Sequence, residues 1–247
     1  MASYSIEDSR VRVSPPRRAR LRQYVRRLSR PAWLGTLRQT HPLSDAWGYD
    51  RGTPVDRYYI EQFLADHRDD MRGHVLEVKD SGYTDRLSRG VERVDVLDVD
   101  ASNPRATLIA DLAACDAIEA DQFDCFVLTQ TLQFIYDTRA AIGHTHRILR
   151  PGGVVLATVP SVSRLDRRMP DYWRFTADSC AALFGETFGP QNVTVRAYGN
   201  MLTAIAFLAG MACEELSRAE METQDRQYPL VIGVRAVKGA QGEGERR

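Results

Sequence analysis

The residues with the most chemistry to offer fall where strands are expected to end. Asp98 closes the run Val94-Asp95-Val96-Leu97-Asp98, with Asp100 one alternation further on. A carboxylate at a strand's carboxyl end can hold a vicinal diol, because a charged acceptor makes stronger hydrogen bonds than a neutral one. The same group serves equally as a turn former or helix cap. Thr129-Gln130 ends the apolar run that starts at Asp124, and Pro160-Ser161 ends Val154–Val159. Beyond these lies Asp171-Tyr172-Trp173-Arg174. Arg174 can grip a substrate carboxylate bidentately while Tyr172 or Trp173 flanks a ring. The alternative is a loop anchor, with Arg174 paired to Asp171 and with Trp173 and Phe175 buried. No metal site is expected: His144 and His146 are two apart on a helix and so face different ways, while His41, His67 and His74 are isolated. No Ser or Cys sits in a nucleophile-elbow pattern.

The elements that must position these groups are strands of a parallel α/β sheet. Continuous apolar runs such as Asp124–Thr129 and Val154–Val159, joined by a helix, imply strands covered on both faces. Arg150-Pro151-Gly152-Gly153 reads as the stop of that helix. Earlier strands are expected at His74–Val78, Val94–Asp98 and Thr107–Ala110. Only about ten residues separate the second from the third, too few for a crossover helix, so a clipped connection is expected there. Thr53 is expected to cap a helix with Pro54 in its first turn and a buried stripe of Val55, Tyr59, Ile60, Phe63 and Leu64. After Phe175 the pattern gives a helix from Ala177 to Phe188, a strand Val193–Tyr198, a helix from Met201 to Leu216 and a strand Leu230–Val237. Ligands of such sheets bind beyond the carboxyl ends of the strands.

The stretches FDCFVLTQTLQFIYD and HRILRPGGVVLATVPS resemble the second half of class I S-adenosylmethionine-dependent methyltransferases, and Asp171–Thr176 resembles a DYWRFT segment of a small bacterial subgroup. The resemblance spans about Gly73 to Lys238. It implies a Rossmann-like, seven-stranded, mostly parallel sheet with an antiparallel last strand, and S-adenosyl-L-methionine as cofactor. It further implies cofactor contacts from the loop that begins at Glu77, where Lys79, Ser81 and Tyr83 occupy glycine places and only Gly82 remains. Lys79, Asp80 and Gly82 are therefore cofactor candidates together with Glu77, with Asp98 for the ribose, Asp111 and Leu112 for the adenine, and Thr129. Asp111 also has the alternative role of capping a short helix. Where relatives carry an acid and a histidine this chain has Leu132, Gln133 and Phe134, so no general base is evident; the catalytic candidates are Gln133, Asp171 and Arg174. Methyl transfer needs none where the nucleophile is already ionised and the enzyme supplies in-line proximity. Trp47, Tyr49, Arg51, Gln130, Tyr172, Trp173 and Arg174 are the substrate-site candidates; for the Trp47–Gly52 loop, plain packing is the competing role.

The chain has 247 residues, enough for one α/β domain with an appended segment. Residues 1–72 are expected to form a helical extension or lid, 73–238 the methyltransferase domain and 239–247 a flexible tail. Thirty-three basic residues equal 33 acidic ones, which gives no electrostatic reason to expect nucleic acid. Arg10 to Arg38 contains no acid, and Leu21, Tyr24, Val25 and Leu28 fall at helical spacing. That reads as a basic amphipathic helix, either packed on the domain, closing over an anionic substrate, or meeting a membrane surface or partner. No apolar run is long enough to span a bilayer. Four widely spaced cysteines suit reduced thiols in the cytoplasm. The expected activity is methyl transfer to an O or N atom of a small specialised metabolite, from a natural-product or sugar-containing class, with an anionic acceptor among the candidates and a homodimer compatible. The alternative is a methyltransferase-fold protein that does not methylate, acting as a binding subunit or running another reaction.

Overall fold

The computed structural model describes residues 35–239 together with Val25, and the chain divides into two compact units, Met1–Thr40 and His41–Arg247. The larger unit holds all seven strands: β1 (Gly73–Val78), β2 (Val91–Asp98), β3 (Leu108–Ile109), β4 (Phe123–Thr129), β5 (Leu149–Pro160), β6 (Val193–Tyr198) and β7 (Val231–Val237). Their order across the sheet is β3-β2-β1-β4-β5-β7-β6. β1 to β5 pair in parallel, whereas β7 runs antiparallel to both β5 and β6. The chain works outward from β1 to β3 and then returns to lay β4 on β1's other edge. The crevice at the tips of β1 and β4 is thus the topological switch point, where sheets of this type bind ligands.

Between residues 35 and 239, six helices accompany the sheet: α1 (Val55–Asp66), α2 (Gly82–Leu87), α3 (Thr138–Ile148), α4 (Ala177–Phe188), α5 (Met201–Ala209) and α6 (Arg218–Glu222). Alternation along each strand sends residues to opposite faces. Phe126, Leu128, Val155 and Ala157 bury with Ile142 of α3 and Phe184 of α4. Cys125, Val127 and Leu156 bury with Tyr59 and Phe63 of α1 and Phe207 of α5. Local chemistry starts several helices. Thr176 with Ser179 and Asn200 with Thr203 form reciprocal caps on α4 and α5, and Asp137 accepts from Ala140 N on α3.

Several expectations are corrected. Thr53 does not cap α1: its amide and hydroxyl both donate to Glu214, and Pro54, in a bridge to Ala212, precedes the first turn. The Arg150–Gly153 segment does not follow the helix as a separate turn. β5 already begins at Leu149, and its register slips between Phe123 and Cys125, with Gly152 at φ +81° taking up the bend. The helix expected to reach Leu216 ends at Ala209, because Gly210 turns left-handed at φ +76°. Residues 41–72 fall in the same compact unit as the sheet. The basic helix of residues 10–30 lies outside the described residues apart from Val25, as does the tail beyond Gly239. The clipped β2–β3 connection is present: residues 99–107 contain no helix. That leaves a cleft of about 480 Å³ between α2 and the edge of the sheet, lined by Ser81, Asp85, Val94, Val96, Arg105 and Thr107.

Candidate active site at the strand tips

Glu77 lies at the end of β1, buried, with each carboxylate oxygen accepting one backbone amide, from Tyr83 N at 3.0 Å and Thr84 N at 2.9 Å. Those amides are orphan donors of α2's first turn, so the acid fixes where that short helix starts. Burial pushes the Glu77 acid up, and the bonds from Thr84 and Tyr83 oppose that shift. Between them the chain folds back at Lys79, which takes a left-handed φ of +73°, a conformation glycine adopts most readily, and at Asp80, whose Oδ1 accepts Gly82 N. The Lys79 and Asp80 side chains point out into the loop's solvent side or half-buried rim, while Ser81 bonds Asp85.

Tyr83 does not hang free in this loop. Its hydroxyl accepts from Arg57 Nη1 at 2.5 Å, and Arg57 Nε donates to Tyr49 at 3.0 Å. Although burial pulls it down, Arg57 is held above its ordinary range by Asp56, Tyr83 and Tyr49, while burial pushes the Tyr83 phenol up. A cation from α1 is therefore fixed over the β1 loop.

At the tip of β2, Asp98 Oδ1 accepts Asp100 N at 3.0 Å and Oδ2 accepts Asn103 Nδ2 at 2.6 Å. Asn103 Nδ2 also donates to Lys79 O at 2.8 Å, clasping the β1 and β2 loops together. Past β3, Asp111 Oδ1 caps the one-turn helix Leu112–Ala114 through Ala113 N, the alternative role foreseen for it. Leu112 is not on an open face: it is buried in the core with Cys115 and Ile118.

After β4, Thr129 pairs in register with Thr158 of β5, and its carbonyl accepts Thr131 Oγ1. Gln130 adopts φ +47°, and its carbonyl accepts Gln133 Nε2 at 2.9 Å. Gln133 O in turn accepts the amides of Tyr172 at 2.8 Å and Trp173 at 3.3 Å. Gln130, Gln133, Tyr172 and Trp173 are thereby brought together. Arg174 is not free to bind substrate: Nη1 and Nη2 hold the two oxygens of Asp171 at 2.5 and 3.0 Å, and further bonds go to the carbonyls of Trp173 and Arg164. That hydrogen bond from Arg174 draws the Asp171 acid below its usual range. The loop-anchor role is the one observed, with Phe175 buried, although Trp173 keeps much of its ring in solvent.

Trp47 joins this strap, with the Arg164 guanidinium 4.0 Å above its ring. Arg51 does not reach it, since both its ends pair with Glu215. Sequence reasoning missed Asn103, Arg57, Tyr136 and Arg164. Asn-Pro at 103–104 signalled a turn, and Arg57 sits on α1 two residues from Val55 and Tyr59 of its buried stripe, but the contacts that give these residues meaning span 5 to 119 positions. Among the described residues no group of His, Cys, Asp and Glu is gathered for a metal.

A model described as a methyltransferase domain matches residues 85–157, from α2 through most of β5. That segment lies within the seven-stranded, mostly parallel sheet and its helices, the Rossmann-like fold of class I S-adenosylmethionine-dependent methyltransferases. Solved structures share this fold. A chain from the complex of the Haloferax volcanii Trm112 methyltransferase activator with a methyltransferase is 16% identical, covering 76% of this chain and 92% of that one at a TM-score of 0.53. The [4+2]-cyclase SpnF is 15% identical over 82% and 88%, with a TM-score of 0.51. Haemonchus contortus phosphoethanolamine N-methyltransferase 2, solved with S-adenosyl-L-methionine, is 15% identical over 74% of this chain and 53% of that one, with a TM-score of 0.51. No curated protein sequence matches the chain. The donor set suits S-adenosyl-L-methionine, with which the Haemonchus protein was solved: carboxylates stand at the tips of β2 and β3, and a fixed guanidinium stands over the β1 loop. Among the described residues no helix is long and apolar enough to cross a membrane.

Proposed function

We propose that this chain methylates an O or N atom of a small specialised metabolite. The observation that carries the reading is the match to a methyltransferase domain over residues 85–157, with acidic groups at the tips of β2 and β3 within it. In this reading Asp98 holds the ribose hydroxyls, Asp111 accepts from the adenine amine through its second oxygen, and Arg57 takes the methionine carboxylate in place of the missing glycine-loop amides. S-adenosylmethionine supplies a methyl group on a sulfonium, already activated for attack. What the chain adds is position. Of the five histidines, His67, His74, His144 and His146 belong to α1's end, β1 and α3, His41 is exposed in the segment before Trp47, and Gln133 is not a base. An acceptor that is already a nucleophile at neutral pH, such as an amine or an acidic phenol, suits this rim. The free cysteines are compatible with a cytoplasmic setting. The Trm112 complex among the similar structures makes a protein partner a further candidate.

A second reading is favoured by one observation. Glu77, Tyr83, Asp98 and Asn103 already bond one another's loops, and SpnF shows by its printed name that a protein of this fold can be a cyclase. Calorimetric titration with S-adenosylmethionine and S-adenosylhomocysteine separates the two. Micromolar binding of either is the expected result; no heat and no thermal shift with both would transfer the reading to the non-methylating alternative.

A further inference from the structure

The rim between the β4 and β5 loops carries features that the methyl-transfer reading leaves unused. Tyr136, Tyr172 and Trp173 are 71%, 48% and 38% exposed, yet they are ordered against one another: Tyr136 meets Tyr172 edge-on at 5.4 Å and Trp173 at 5.9 Å. The Trp173 ring is further pinned by Nε1 bonds to the carbonyls of Ile135 and Tyr136. Three rings held in a continuous wall against water have paid their ordering entropy in advance and offer faces and edges to another ring.

Directly behind them, Gln133 is only 5% exposed, and its Oε1 has no hydrogen-bond partner. Gln130 Nε2, three residues away in the same loop, is equally unpartnered. A buried polar atom without a partner costs about 1–3 kcal/mol, and its recurrence at two residues of the loop that carries the wall marks a place built to be satisfied by something else. The unused groups are one amide donor and one amide acceptor, both uncharged. The cation that would have suited a carboxylate, Arg174, has both terminal nitrogens committed to Asp171 and to main-chain carbonyls.

We infer that this rim is the acceptor subsite and that its ligand is a planar aromatic or heteroaromatic ring bearing an uncharged donor–acceptor group, with the ring against Tyr136, Tyr172 and Trp173 and the polar group on Gln130 and Gln133. The inference rests on the methyl-transfer reading for the same site, and it replaces an anionic acceptor head with a neutral one.

The test uses the full chain, with and without saturating S-adenosylhomocysteine, and three probes followed by calorimetry and ligand-observed magnetic resonance: para-hydroxybenzamide, its saturated cyclohexane counterpart and para-hydroxybenzoate. The benzamide is expected to bind best. Tyr172→Leu and Tyr136→Leu, both at exposed rings, are expected to weaken it by about three- to tenfold with the melting temperature retained. Gln133→Leu is expected to erase the preference for the benzamide over the benzoate. Equal binding of the cyclohexane counterpart would overturn the ring assignment, tighter binding of the benzoate would overturn the neutral head, and no binding of any probe would overturn the subsite. The two ideas fail separately. Binding of S-adenosylhomocysteine without the benzamide removes this subsite alone, and binding of the benzamide without S-adenosylhomocysteine removes methyl transfer alone.

Discussion

Under the proposed function, Asp98 and Asn103 set the terms at which a ribose enters. Both Asp98 oxygens are already bonded, one to the Asp100 amide and one to the Asn103 side chain, and the latter contact at 2.6 Å mimics a hydroxyl donor. A carboxylate oxygen has two lone pairs, so a diol can add to Asp98, but it must share or displace Asn103. Opposite effects follow from the two residues. Asp98→Ala is expected to weaken S-adenosylhomocysteine binding by about 1.5–3 kcal/mol, the worth of a hydrogen bond to a charged group. Asn103→Ala is expected to leave the affinity equal or tighter, because the competing donor is gone. Calorimetry with circular dichroism as the fold control checks both; unchanged affinity in Asp98→Ala would take Asp98 out of the site. Asp98 was legible in the sequence because it ends an alternating strand. Asn103 was not, because its partners Lys79 and Asp98 belong to two different strand tips.

The strap after β5 shows what an element gains from one ion pair. Asp171, pulled down by its hydrogen bond to Arg174, accepts Asp166 N, and Asp166 is itself drawn to about 2 by Arg168. A depressed carboxylate pKa contributes stability that is full above the unfolded value of about 4 and is lost as pH falls through the folded value. The strap is thus expected to loosen only in acid. Trp173 emission followed down the pH scale should change below pH about 4 in the parent chain. In Asp171→Asn the strap should be loose already at neutral pH, with no acid transition; a parent-like profile in that variant would show that Arg174 does not hold the strap through Asp171. At the other end of the site, Gly210 ends α5 at φ +76° with Ser44 O only 2.5 Å from where a Cβ would stand. Gly210→Ala is therefore expected to cost about 2–3 kcal/mol in denaturant unfolding, since both the backbone and the neighbour must move. The elements themselves were readable from periodicity: α4 and β6 occur with the bounds expected, and the antiparallel β7 follows the resemblance. The misreadings share one cause. Thr53 looked like a helix cap and Gly210 like a helix interior residue until Glu214 and Ser44, remote in sequence or packed from another loop, claimed their neighbourhoods.

The zero net charge of the whole molecule conceals a division. Residues 1–40 hold ten arginines against two acids, so residues 41–247 carry eight more acids than bases. Sums of this kind say nothing about fold, but they govern how a molecule meets a charged surface, because a local excess acts within a Debye length whatever the total. Among the described residues every strand, and every helix of the two buried clusters, lies within His41–Arg247. A chain lacking residues 1–40 is therefore expected to keep a cooperative melt within a few degrees of the parent and to keep its affinity for S-adenosylhomocysteine. It should differ in one respect. The full chain is expected to be held by a heparin column at low ionic strength and released by salt, despite its formal neutrality, and the shortened chain to pass straight through. Failure of the full chain to bind heparin would mean that its arginines are neutralised by the acids of residues 41–247, and a collapse of the shortened chain's melt would show that residues 1–40 share in the cooperative fold.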